Sequence, residues 1–180
     1  MLPNQVYYFE VGKGEWGGQF DFRITDAQAY RRISIGAVNR LLIAAMRFVI
    51  AVLGRPSIAS VITVDETEAP AGTARNTYRI SKVGVTLCKF HDVYRLDPDG
   101  EDVAVTTDIS YGPVPGVIND YAAYTARITD GGYRSCYQGL RLLGATWVAR
   151  YEVAPDRNHV SGTLTCAWGE AREQMFRRTQ

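Results

Sequence analysis

The chain has no two cysteines placed as a disulfide framework or a zinc site would place them. Cys88, Cys136 and Cys166 are odd in number and far apart, with no Cys-x-x-Cys pair, so a reduced, cytoplasmic setting is the expectation. Charge of one sign is also lacking. Lys and Arg total 20 against 19 Asp and Glu, a net of +1, which argues against nucleic acid as partner because phosphate recognition needs a clustered basic excess. Only the tail is locally basic, and there Arg172, Arg177 and Arg178 are interleaved with Glu170 and Glu173. The opening Met1-Leu2-Pro3-Asn4-Gln5 has neither the basic start nor the apolar core of a signal peptide, so export is not expected.

Long hydrophobic runs are missing as well. The longest, Val38 to Leu53, has 16 residues, includes Asn39, Arg40 and Arg47, and falls short of the roughly 20 needed to span a bilayer. It reads as a helix packed on a sheet, with interfacial membrane contact as the alternative.

Catalytic motifs are absent too. No Gly-x-Ser-x-Gly elbow occurs and no cysteine has an activating context. Gly12-Lys13-Gly14 and Gly17-Gly18 do not open a helix, so neither is a phosphate loop. Metal-ligand spacing is lacking, and Asp97-Pro98-Asp99-Gly100-Glu101-Asp102 reads as a turn. No catalytic residue and no metal are assigned, and a non-enzymatic role is the leaning.

What the chain does contain is a helical insert followed by strands. Its 180 residues suit one domain, 1–180, burying roughly 70% of its unfolded surface. Thr25-Asp26-Ala27-Gln28 has the form of a capping box, Gly36 interrupts the pattern, and Gly54 and Pro56 stop the apolar run, so two helices are expected. Before them, over Val6 to Ile24, Trp16, Phe20, Phe22 and Ile24 alternate with Gln19, Asp21 and Arg23, a half-buried strand. Gly17 and Gly18 suggest a sharp bend or close approach of another backbone.

After Pro56 eight strands are expected: Ser57 to Thr67, Thr73 to Ser81, Val85 to Leu96, Asp102 to Tyr111, Tyr121 to Thr129, Tyr133 to Leu140, Thr146 to Val153 and His159 to Trp168. Turn signals separate them, among them Glu68-Ala69-Pro70-Ala71-Gly72, Asp97-Pro98-Asp99-Gly100, Gly112-Pro113-Val114-Pro115-Gly116 and Asp130-Gly131-Gly132. Glu170 to Arg178 reads as a short terminal helix. With no helix between successive strands the sheet is an antiparallel meander, and with nine or ten strands closure into an up-and-down barrel avoids exposed edges. The insert is the candidate cover for such a barrel.

Gly14-Glu15-Trp16 has the Gly-x-Trp spacing that opens the first strand of calycins, the lipocalin and fatty-acid-binding-protein superfamily. The order of strand, two helices and meander resembles the intracellular fatty-acid-binding branch, in which a helical pair caps the barrel. The resemblance implies a carrier of an apolar or amphiphilic, lipid-like molecule. The insert is longer than the usual cap, and the expected terminal helix makes the helix-grip fold of the START type the alternative.

A cavity of this kind is mostly apolar with a few oriented polar groups. Of eleven tyrosines, Tyr78, Tyr94, Tyr111, Tyr124 and Tyr151 are strand candidates for ligand contact, each offering an apolar ring and one hydroxyl; tyrosine is also simply favoured in strands. Arginines within strands either reach solvent or anchor a carboxylate. In fatty-acid-binding proteins an arginine and a tyrosine on late strands grip the ligand carboxylate, and the counterparts the resemblance implies are Arg127 with Tyr124 and Arg150 with Tyr151. Arg150 is out of phase with Trp147, Tyr151 and Val153, so inward placement of those three sends it to solvent or over Trp16.

Two further readings stay open. A cavity enzyme, an isomerase, cyclase or hydratase, would use Asp108, Tyr111 or His91 as acid or base and show an interior group of shifted pKa. Haem is the alternative cofactor, by resemblance to nitrobindins, barrels with a histidine on a late strand. Yet His159 begins a strand after a polar turn, and His91 shares its phase with Lys89. Ligand identity and oligomeric state are not legible in the sequence.

Overall fold

The computed structural model describes residues 13–65, 73–95, 102–114, 118–129, 132–137 and 146–179, with the backbone alone at 65, 128–129 and 132–137. The expected turns at 68–72, 97–100 and 130–131, the start of the first strand before Lys13 and the strand end beyond Tyr137 lie outside these residues.

The chain opens with β1 (Gly14–Ile24), passes through α1 (Ala27–Arg32) and α2 (Ala37–Leu53), and continues as β2 (Ser57–Asp65), β3 (Thr73–Lys82), β4 (Val85–Arg95), β5 (Asp102–Tyr111), β6 (Ile118–Thr129), β7 (Gly132–Tyr137), β8 (Trp147–Val153), β9 (His159–Thr165) and β10 (Gly169–Arg177). Each strand pairs antiparallel with the next, and β1 pairs with both β2 and β10, so ten strands form a closed barrel without edges. The expected up-and-down barrel with a two-helix insert is thus observed.

Two expectations change. Glu170 to Arg178 is not a helix but most of β10, in register with β1 from Trp16 opposite Arg177 to Ile24 opposite Gly169. Ala, Arg, Glu, Gln and Met favour helix locally, but Gly169, Ala171, Glu173 and Met175 alternate inward with exposed Arg172, Gln174 and Phe176. Pairing two otherwise open edges outweighs propensities of a few tenths of a kcal/mol per residue. The helix-grip alternative, which needs a terminal helix, is set aside with it. The second change concerns α2, which packs on β1 with Ile43 alone buried; Val38, Leu41, Phe48 and Val52 face solvent. Among the described residues no helix is long and apolar enough to cross a membrane.

Local chemistry explains the joints. Asp26, not Thr25, caps α1, its Oδ1 accepting from Gln28 N and Ala29 N at 2.9 Å. Gly54, at φ +81°, ends α2 with its N–H on Ile50 O. Arg40 ties the helices together, donating to Ile33 O at 2.8 Å with its guanidinium over the Tyr30 ring. Tyr30 then packs on Trp168, 5.2 Å between ring centroids, and Trp168 meets Trp147 edge-on at 5.4 Å with Phe22 beside both. An aromatic cluster under α1 therefore fills the helix end of the barrel.

The opposite end is closed differently. Gly14, at φ +118°, starts β1 and Trp16 turns inward. The Arg177 guanidinium lies 4.6 Å over the Trp16 ring and donates to Lys13 O at 2.7 Å. At Gly18 a Cβ would stand 1.9 Å from Gln174 O of β10. The expected close approach of a backbone is real.

Candidate ligand-binding site inside the barrel

Strand alternation sorts the side chains. On β3 Ala74, Asn76, Tyr78 and Ile80 are buried while Arg75, Thr77 and Arg79 are exposed; on β5 Val103, Val105, Thr107 and Ile109 are buried. Opposite partners share a face, so Asn76, Asp92 and Thr107 stand side by side across β3, β4 and β5. The inner wall is chiefly apolar. Most of its polar exceptions fall into two groups, Asp120 and Thr73 standing apart.

In the first, Ser60 Oγ donates to Asn76 Oδ1 at 2.7 Å, and Asn76 Nδ2 donates to Asp92 Oδ2 at 3.1 Å. The Tyr94 hydroxyl donates to the same oxygen at 3.3 Å. Thr107, whose hydroxyl is 3.4 Å from that of Tyr124, also reaches Asp92. Burial outweighs these hydrogen bonds and pushes the Asp92 carboxyl up to about 6. In the second group the Tyr151 hydroxyl donates to Glu173 Oε2 at 3.1 Å, and Tyr78 bonds the same carboxyl. Burial, with the Asp92 charge adding to it, pushes Glu173 up to about 7 against the hydrogen bonds of the two tyrosines. Gly162 makes room: a Cβ there would lie 2.5 Å from Tyr151 Cε1 and 3.3 Å from Glu173 Oε2.

Two features mark the inner wall. Phe90 and Tyr124 point inward near the middle of their strands, pack against the core and are only partly buried. Three buried donors, the Tyr111 hydroxyl, Trp147 Nε1 and Trp168 Nε1, have no partner among the described residues. Such groups cost about 1–3 kcal/mol each when nothing satisfies them.

The structure brings together five of the seven residues singled out from sequence. Tyr78, Tyr94, Tyr111, Tyr124 and Tyr151 all line the inner face. Arg127 and Arg150 stand on the outer face. Arg127 is exposed and pairs with Asp102 through Nε and Nη2 at 2.8 and 3.1 Å, and that bond holds the Asp102 carboxyl below its usual value. Arg150 follows its phase to solvent, and Arg177 takes the position over Trp16. Of the acid–base candidates, Asp108 and His91 are exposed. His159 stacks outside on Phe176 with Nε2 2.6 Å from Gln174 Oε1.

Sequence reasoning passed over Asp92 and Glu173. The signal was there: Cys88, Phe90, Asp92 and Tyr94 alternate, and so do Ala171, Glu173 and Met175 once β10 is read as a strand. Among the described residues the buried charged side chains are all acidic, Asp92, Asp120 and Glu173; no metal-binding cluster occurs.

Closure, the Gly-x-Trp opening and the helical insert make this a calycin-like barrel. No protein-family model matches the chain, and no curated protein matches it. Among solved structures it is similar to the S-type phycobiliprotein lyase CPES from Guillardia theta, at 13% identity over 97% of this chain and 93% of that one, with a TM-score of 0.54. At that identity the likeness is one of fold. A looser overlap, TM-score 0.46 at 12% identity over 93% of this chain and 96% of the other, is found with the REP1-NXSQ fatty acid transporter.

Proposed function

We propose that the protein is a binding or carrier protein that holds one apolar or amphiphilic small molecule inside the barrel. The observation that carries this reading is a closed barrel whose inner wall is chiefly apolar and carries a few buried polar groups, among them Asp92, Glu173 and the Tyr111 hydroxyl, which has no partner among the described residues. The polar groups also favour one kind of head group. A fatty carboxylate finds no buried Lys, Arg or His among the described residues, and the inward basic side chain, Arg177, is engaged over Trp16 at the far end. Asp92 and Glu173 suit a hydroxyl, an N–H or a protonated amine instead. Helix α2 is the part proposed to meet a membrane, the cytoplasm is the proposed location, and no resident cofactor is part of the reading; a featureless Soret region after haem addition is the expected result.

The neutral fluorophore N-phenyl-1-naphthylamine tests the proposal. It is expected to brighten on binding and to be displaced by dodecanol and dodecylamine before dodecanoic acid. Failure of the fluorophore to bind, together with native mass spectrometry showing no co-purified lipid, ends the proposal. Arg127→Ala and Arg150→Ala are expected to leave displacement unchanged.

A second reading rests on Glu173. A carboxyl pushed up to about 7 between Tyr78 and Tyr151 is poised to exchange a proton near neutral pH, which an isomerase or hydratase of the same shell would use. Loss of substrate turnover in Glu173→Gln with ligand binding retained separates this reading from simple carriage.

A further inference from the structure

Helix α2 shows the barrel one face and leaves another uncovered. Ile43 is buried on β1, flanked by the half-buried Met46 and Ile50. On the far side Val38, Leu41, Ala45, Phe48 and Val52 recur at i, i+3, i+7, i+10 and i+14 and form one stripe. Its four larger side chains are 56–69% exposed. Contiguous exposed apolar surface of this kind marks a site of association.

Two occupants compete, a second copy of the chain and a lipid surface, and the charges separate them. Residues 27–53 carry Arg31, Arg32, Arg40 and Arg47 with no Asp or Glu; setting those four aside leaves 16 basic against 19 acidic residues, a net of −3 for the rest. A second copy would bring the same positive insert against its like. The stripe has coiled-coil spacing, but the flanking Leu42, Ala44, Val49 and Ala51 offer no acid to pair across a helix dimer. An anionic lipid surface supplies both the apolar layer and the opposite charge.

We propose that α2 lies in the plane of an anionic lipid surface, its Val38 to Val52 stripe at the acyl boundary and Arg31 and Arg32 among the head groups. Seventeen residues reach about 25 Å, less than a bilayer core, so the helix lies in the plane and does not cross. Arg40 does not join the head groups. Its guanidinium is bound to the carbonyls of Tyr30, Arg31 and Ile33, which fixes α1 against α2 and leaves the exposed Arg31 and Arg32 free of it. The docking deepens the membrane contact proposed above for α2, rests on it, and does not depend on what the barrel holds.

Flotation of the full chain with vesicles is the test, using phosphatidylcholine alone and with about a third phosphatidylglycerol. Binding is expected on the anionic vesicles, about tenfold weaker on neutral ones and weakened again between about 0.1 and 0.5 M salt. Leu41→Asp with Phe48→Asp is expected to abolish it, whereas Val61→Asp, an exposed apolar position on β2, keeps it. Circular dichroism of each variant checks that the barrel is intact. Equal binding to both vesicles, no binding, or retained binding in the Leu41/Phe48 variant overturns the proposal. So does a dimer in light scattering that the same pair dissociates while vesicles go unbound, which assigns the stripe to a second copy.

Discussion

Inside the barrel the Tyr151 hydroxyl donates to Glu173 Oε2 at 3.1 Å, beneath the bare backbone of Gly162. Both residues are buried, so this contact sits where an ionised carboxylate is costly and a neutral one is not.

Stability against pH follows from it. Asp92 rises from 3.8 to about 6 and Glu173 from 4.5 to about 7, so the folded state holds protons that the unfolded chain has already released. Stability from these groups is therefore fully present below about pH 4, falls as pH rises through about 6 and 7 and levels off above about 8, by on the order of 3 kcal/mol for each carboxyl. Urea unfolding across that range measures it. Glu173→Gln, which stays neutral, is expected to flatten the slope, and a slope unchanged in that variant refutes the assignment.

At the far end, Arg177→Ala removes the guanidinium from Trp16 and from Lys13 O. A loss of about 1–2 kcal/mol is expected, read from the midpoint of denaturation and a shift in Trp16 fluorescence. Arg177→Lys recovers only part of it, because an ammonium lacks the flat face that covers the indole.

Gly18→Ala is expected to cost more than about 3 kcal/mol, since its Cβ would meet the Gln174 carbonyl, a backbone atom that cannot swing away. Gly36→Ala, with nothing within 4 Å of its Cβ, is the control. Comparable thermal melts for the two variants would contradict the β1–β10 register.

The β3–β4 hairpin turns through Val83 and Gly84, at φ +49° and +76°. Two positive angles in a two-residue loop suit Asn-Gly, and a β-branched side chain is strained there. Val83→Asn is expected to stabilise by about 1 kcal/mol, measured by thermal melting.

Strands were legible because period-two alternation is local. Asp102–Tyr111 matches its expected bounds to the residue, and Tyr78, Tyr94 and Tyr151 face inward as strand phase allowed. Glu170 to Arg178 misled for a reason equally local: its residues favour helix, and the partner that makes them a strand lies some 150 positions earlier.

By itself, then, the order of residues determined an antiparallel meander interrupted by two helices, since hydrophobic period and turn chemistry act over a few neighbours. Tertiary structure decided the closure of β10 on β1, the choice of Arg177 over Arg150 for Trp16, the exposure of α2's outer stripe and the burial of both Asp92 and Glu173 inside. Each of these joins groups far apart in the chain, and their energies come from burial and pairing that exist only once the barrel has closed.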